Sequence, residues 1–315
     1  MHAEQVLDAQ ADLVTRMNTE VFQKYLGGSF GAGHHIMYPA LQANTRAAYA
    51  YRVTPEMSTM VEWAASQLDE TDRFDRDLPP TGAGFVRFDR PLPVADVRGR
   101  TMAAHWLIWG PTKTVTTGAF GQQQRGLGLW LFNDTFDPDE IGKEIIAQHG
   151  LDFVLRTSGR WGFIGAEMLF PGQQMGPALV DAGSDAVAKI LADGDTPTPF
   201  TNATRYAVAL WMLLNQTVTD VTEEHLRTGR RKSAQRKGIP GRVSVIALRR
   251  SSGAGRADGE TLVQWSHRWV CRGHWRWQPY GAGRELRRRI WVRPFVKGPA
   301  DKPLVITDKV YELRR

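Results

Sequence analysis

The sequence predicts an α+β protein. A mixed helical and antiparallel-sheet N-terminal domain covers residues 1–226, a basic linker covers 227–240, and a small basic antiparallel β domain covers 241–315. Three observations predict this. Apolar residues recur at helical spacing in several segments of the first part, and short apolar and aromatic runs between proline- and glycine-rich breaks read as strands. Beyond residue 240 the period switches to two. The charge also divides: residues 225–315 hold 23 Lys and Arg against 6 Asp and Glu, and residues 1–224 hold 17 against 27, so an acidic part precedes a basic one.

At 315 residues and 42% hydrophobic, the chain can bury one large core or two medium ones. Its 23% charged and 10% aromatic content excludes long intrinsic disorder. One cysteine, Cys271, excludes an intrachain disulfide framework and points to a reducing, cytoplasmic compartment. The start Met1-His2-Ala3-Glu4-Gln5 has no basic n-region or apolar run, and no stretch approaches the ~18 apolar residues of a membrane span. Neither a membrane nor a cofactor is expected.

From Ala3 to Leu26, Val6, Leu7, Leu13, Val14, Met17, Val21 and Leu26 sit at helical spacing, predicting one amphipathic helix closed by Gly27-Gly28. A glycine- and histidine-containing stretch follows over 28–38. Thr54-Pro55 then opens a second helix to about Leu68, as a cap followed by proline in the first turn. Residues 84–89, 101–109 and 126–132 read as antiparallel strands, and 161–170 as strand or buried material. Helices are predicted near 137–150, 184–192 and 203–216. Asp220-Val-Thr-Glu223 has the pattern of a capping box that starts another. Four strands are expected at 242–248, 261–278, 289–296 and 303–313, with a hairpin tip at 251–259 and a turn at Tyr280-Gly-Ala-Gly283.

The strongest functional signal is Trp265 to Tyr280. As a strand it places Arg268, Val270, Arg272, His274, Arg276 and Gln278 on one face, with Trp269, Trp275 and Trp277 on the other. The stretch from 289 repeats the pattern: Arg289, Trp291, Arg293, Phe295 and Lys297 share a face. If the two strands pair, their arginines form one cationic surface on which Trp291 and Phe295 stand as stacking platforms. Local carboxylates are too few to pair these cations. The basic part therefore implies a polyanionic partner, with single-stranded RNA or DNA favoured, or docking onto the acidic N-terminal part. In this reading Arg268, Arg272, Arg276, Arg289, Arg293 and Lys297 meet phosphate, Trp291 stacks, and His274 contacts a base or phosphate.

Two alternatives accompany it. A metal-independent, toxin-like ribonuclease would use His274 as general base with Arg272 and Arg276 stabilising the phosphate; whether the chain is an enzyme stays open. A noncatalytic protein-interaction module would dock the same basic face on an acidic protein. Elsewhere the motifs fail. His34-His35 has no further ligand at metal spacing, 137–148 lacks oxygen ligands at two positions of a calcium loop, and Gly110-Pro-Thr-Lys-Thr114 lacks the earlier glycine of a phosphate loop. The acidic run Asp69 to Asp77 reads as a solvated face, or as a clamp on the basic part.

Arg272-Gly-His-Trp-Arg-Trp-Gln278 followed by Arg289-Ile-Trp-Val-Arg-Pro-Phe-Val-Lys-Gly-Pro299 resembles the C-terminal signature of a group of uncharacterised actinobacterial and actinophage proteins. Phe85 to Pro93 with Asp96 to Arg100 is similar to an upstream element of that group. The resemblance implies a host range and carries no catalytic role.

Overall fold

The computed structural model describes residues 2–30, 34–68, 72–95, 101–117, 122–134, 143, 146–148, 150, 152–154, 159, 161–172, 201–216, 218–249, 269–271, 273–292, 295–297, 299 and 302–303. The described chain is α+β, as expected, and divides into two compact units, Met1–Leu248 and Arg249–Arg315. Each is described by itself below.

The first unit opens with α1 (Ala3–Arg16), α2 (Glu20–Phe30) and α3 (His34–Ala47). The single helix expected over 3–26 is two. Met17 caps α1, with its N–H on the Leu13 carbonyl at 2.9 Å and the following Asn18 N–H on the Thr15 carbonyl at 3.3 Å. The Thr19 hydroxyl donates to the Arg16 carbonyl at 2.7 Å and accepts from the Phe22 N–H at 3.4 Å, ending one helix and starting the next. Gly27-Gly28 does not stop α2. The glycine- and histidine-containing stretch, to which the sequence reading assigned no helix, runs into α3, although Pro39 inside that helix removes a helical hydrogen bond. The apolar face that offsets this loss is Met37, Tyr38 and Leu41, all buried. Tyr38 donates to the Met17 carbonyl at 2.5 Å, and burial pushes its hydroxyl up to about 12 against the opposing bond from Gln42.

After β1 (Tyr49–Val53), α4 (Pro55–Ser66) begins as predicted: the Thr54 hydroxyl accepts from the Met57 N–H and Pro55 occupies the first turn. Next come β2 (Gly84–Ala95), β3 (Thr101–Thr117), β4 (Gln122–Asn133) and β5 (Gly162–Leu169), then α5 (Thr201–Leu214), β6 (Thr219–Glu223), α6 (Thr228–Arg236) and β7 (Val243–Leu248). Asp220 to Glu223 is thus a strand, because the β7 ladder supplies its backbone partners. The stretch expected as linker holds α6, whose Ala234 is buried.

These strands form one sheet in the order β5-β4-β3-β2-β1-β7-β6. It is mixed: β1 runs parallel to both β2 and β7, and the other pairs are antiparallel. The chain reaches β2 from β1 through α4, the crossover that parallel neighbours need. Alternation sends Phe85, Trp106, Ile108, Trp130 and Phe132 into one core with α1, α2 and α3. The opposite set, Val53, Val86, Leu107, Trp109 and Leu129, is equally buried, and on that side Trp109 meets Trp211 of α5 edge-on at 5.6 Å. Gly84 is obligatory here, since a Cβ would come within 2.2 Å of the Trp109 ring.

In the second unit β8 (Trp269–Cys271) pairs with β11 (Phe295–Lys297), and β9 (His274–Tyr280) with β10 (Leu286–Val292). Both pairings are antiparallel and share one register, so they are two stretches of a single hairpin. The expected features at 184–192, 251–259 and 304–313 lie outside the described residues; near 137–150, Lys143 and residues 146–148 are helical. No helix among the described residues is long and apolar enough to cross a membrane.

Candidate functional site

The hairpin is the most unusual surface of the described chain. Its turn is built from Gly281 and Gly283, with φ of 80° and 67°, while Arg284 takes φ of 57°, an uncommon conformation for a residue with a Cβ. The turn fixes the register: Trp291 lies opposite Trp275, Arg289 opposite Trp277, Ile290 opposite Arg276 and Arg288 opposite Gln278.

Opposed residues share a face. One face carries Trp275, Trp277, Arg289 and Trp291. There the Trp275 and Trp291 rings pack edge to face at 5.2 Å and are buried, and the Arg289 guanidinium lies 5.5 Å from the centre of Trp277. The other face carries His274, Arg276, Gln278, Tyr280 and Arg288. Here Arg288 covers Tyr280 at 5.2 Å, and Arg276 donates to Gln278 at 2.8 Å. Trp277 stays 57% exposed, Leu286 55%, Phe295 45% and Tyr280 40%.

The structure therefore separates residues that the sequence reading grouped. His274 and Arg276 share one face; Arg289 and Trp291 share the other. Trp291 is 5% exposed and packs on Trp275, so it is no stacking platform. Lys297 is exposed in β11 beside Trp269, while Arg268, Arg272 and Arg293 lie outside the described residues. The reading missed Arg287, Arg288, Trp277 and Tyr280 as surface groups. The Tyr280-Gly-Ala-Gly283 turn was the available signal, because pairing outward from it puts Arg289 against Trp277 and Arg288 against Gln278.

In the first unit, several arginines meet carboxylates directly. Arg87, buried against the Trp106 ring at 4.8 Å, donates to Asp134 at 2.5 Å, and the Trp106 indole N–H donates to the other Asp134 oxygen at 2.6 Å. Desolvation raises the Asp134 pKa, but the Trp106 hydrogen bond and the Arg87 charge and hydrogen bond outweigh it, holding the carboxyl below its usual range. Arg52 pairs with Asp89 at 2.8 Å and Arg90 with Glu62 at 2.5 Å. Arg230 of α6 grips both Asp8 oxygens of α1 at 2.7 Å, so acidic and basic segments do meet within this unit. Of the acidic run, Asp72 is buried and Asp69 and Glu70 lie outside the described residues. A cleft of about 420 Å³ lies between the 74–82 segment and the β3–β4 end, lined by Phe74, Arg76, Asp77, Pro111, Arg125 and Leu127 among others. Among the described residues no group of three or more His, Cys, Asp or Glu side chains is placed to hold a metal ion.

A family model described as AcrVA2-like, anti-CRISPR type V subtype A2 family, matches residues 51–297, from β1 to the end of β11. A solved structure titled "Crystal structure of AcrVA2" is 12% identical to this chain, covers 93% of each chain, and superposes with a TM-score of 0.39. No curated protein matches. The family match corrects the expectation of an RNA- or DNA-binding surface, and with it the toxin-like ribonuclease built on His274. The noncatalytic interaction alternative fits the match better. The cationic and aromatic residues grouped in that reading are instead split between two faces of a hairpin, and Trp291, the tryptophan expected to stack, is buried. By a match over more than three quarters of its length, the chain belongs to the AcrVA2-like anti-CRISPR type V subtype A2 family.

Proposed function

We propose that this chain antagonises type V CRISPR immunity as a noncatalytic protein that binds a component of the type V effector machinery. The observation that carries the reading is the family match over residues 51–297, which takes in the seven-stranded sheet and the hairpin alike. The hairpin supports a binding mode. Exposed Trp277 and Tyr280, each with an arginine stacked on it, are the residue types that dominate the energetics of protein interfaces. A reducing cytoplasm, the compartment read from the lone Cys271, is where such an antagonist would meet its target, and a phage origin would give it its use.

The test is plasmid interference in cells carrying a type V system. Expression of the chain should restore transformation by a targeted plasmid toward the level of an untargeted one, and should leave a system of another type active. A folded, expressed chain that leaves type V interference intact overturns the reading.

A further inference from the structure

The hairpin tip joins two features seldom found together on a solvated surface. Its apolar side chains are exposed, Trp277, Tyr280 and Leu286 each at 40% or more. Its charge is arginine only: residues 274–292 hold Arg276, Arg284, Arg287, Arg288 and Arg289, no lysine, and one carboxylate, Glu285. Solubility would be served as well by lysine, which is depleted from interface cores where arginine, tryptophan and tyrosine are enriched. Arginine differs in presenting a planar fork that meets carboxylates two bonds at a time while its flat face rests on a ring. Arg288 on Tyr280 and Arg289 on Trp277 have that second half in place, one pair on each face. Stacking also restricts these side chains before any partner arrives, which lowers the ordering cost of binding.

We propose that the tip of this hairpin is a docking element for an acidic protein surface, one whose carboxylates flank an apolar recess. Charge complementarity selects the occupant: Arg276, Arg284, Arg287 and Arg288 are all exposed, and the only carboxylate within residues 274–292 is Glu285, so an acidic surface matches the tip and a basic one is repelled. Trp277 fills the recess, Arg287 on the same face engages a carboxylate beside it, and Arg288 engages one from the opposite face of the tip. The Trp275–Trp291 pair holds the two strands in register beneath. The proposal rests on the functional reading above in one respect, that the acidic surface belongs to a type V effector protein.

The experiment measures binding of the full chain to three probes: a purified type V effector protein free of RNA, a fluorescein-labelled peptide alternating Asp or Glu with Phe, and single-stranded DNA of the same charge. Four forms are compared: wild type, Trp277→Ala, Arg287→Glu with Arg288→Glu, and a control carrying Lys232→Glu with Arg236→Glu on exposed positions of α6. Circular dichroism checks the fold of each. The expected result is effector binding that falls at least tenfold in both hairpin variants and less than threefold in the equally charged control. Unchanged effector binding in the hairpin variants overturns the docking element and leaves the antagonist reading standing. Hairpin-dependent binding of the acidic peptide without any binding of the effector supports the docking element and overturns the effector as its owner. Absence of binding to both, or tighter binding to the DNA than to the peptide, overturns the proposal.

Discussion

Trp106 and Trp277 are the same side chain put to opposite uses. Trp106 is fully buried, with its ring on Phe85 and Trp161 at 5.1 and 5.2 Å and its N–H on Asp134. Trp277 is 57% exposed under one guanidinium. The arginines divide the same way. In the sheet, Arg87, Arg52 and Arg90 each end on a carboxylate, whereas in the hairpin the exposed Arg288 lies over the Tyr280 ring. A matched ion pair inside a domain holds strands together and offers a partner little. A cation stacked on a ring keeps its hydrogen-bonding edge available for a second molecule.

The comparison is most easily broken at the core. Trp106→Ala removes a fully buried indole and also strips a hydrogen bond from Asp134, so it should cost about 4 kcal/mol. A urea titration that shows a loss under about 1.5 kcal/mol would place the first unit's stability elsewhere.

Next is Asp134→Ala, which leaves Arg87 buried without its carboxylate and should cost about 3 kcal/mol at neutral pH. The same carboxyl predicts a pH dependence. Its folded-state pKa lies below the unfolded value, so its contribution is full above the unfolded pKa of about 3.9 and is lost as pH falls through the lower folded value. Wild type should lose stability between about pH 4 and the acid limit more steeply than Asp134→Ala. Parallel acid limbs in the two proteins would show that Asp134 is not held low.

How much of this was legible depends on how local the cause is. The α4 start was plain because Thr54 and Pro55 carry it within four residues, and β2, β3 and β4 were plain from their apolar runs. The break at Met17 was not, since a threonine hydroxyl decides it against continuous periodicity. Nor was α3, where buried Tyr38 and Leu41 override Pro39, nor the strand at Thr219, whose ladder partner lies 29 residues away. At the hairpin, the alternation was visible and the register was not: which face Arg289 joins depends on the length of the turn, and Trp291 is buried by a residue on the opposite strand. The partner class was illegible for a chemical reason. Arginine next to aromatic residues suits phosphates and bases as well as carboxylates and apolar pockets, and only the family match separates the two.

Smaller effects sharpen the contrast at surfaces. Arg230→Ala deletes a two-pronged pair with Asp8 whose members are half exposed, 53% and 47% at the side chain. It should cost up to about 1 kcal/mol at low salt and close to nothing at 1 M. An equal loss at both salt concentrations would mean that α6 is held to α1 by packing, with Ala234 as the anchor.

The smallest loss of stability is expected from Trp277→Ala, and it is the most informative against Trp106→Ala. Both delete an indole. In the hairpin the ring already meets solvent over more than half its surface, and its stacking with Arg289 is worth about 0.5 kcal/mol at such a site. The unfolding midpoint should therefore move by about 0.5 kcal/mol or less, while Trp275 and Trp291 hold the strands in place. A loss above about 2 kcal/mol would mean that Trp277 is part of the hairpin's own core, and the exposed face would lose its standing as a surface kept for a partner.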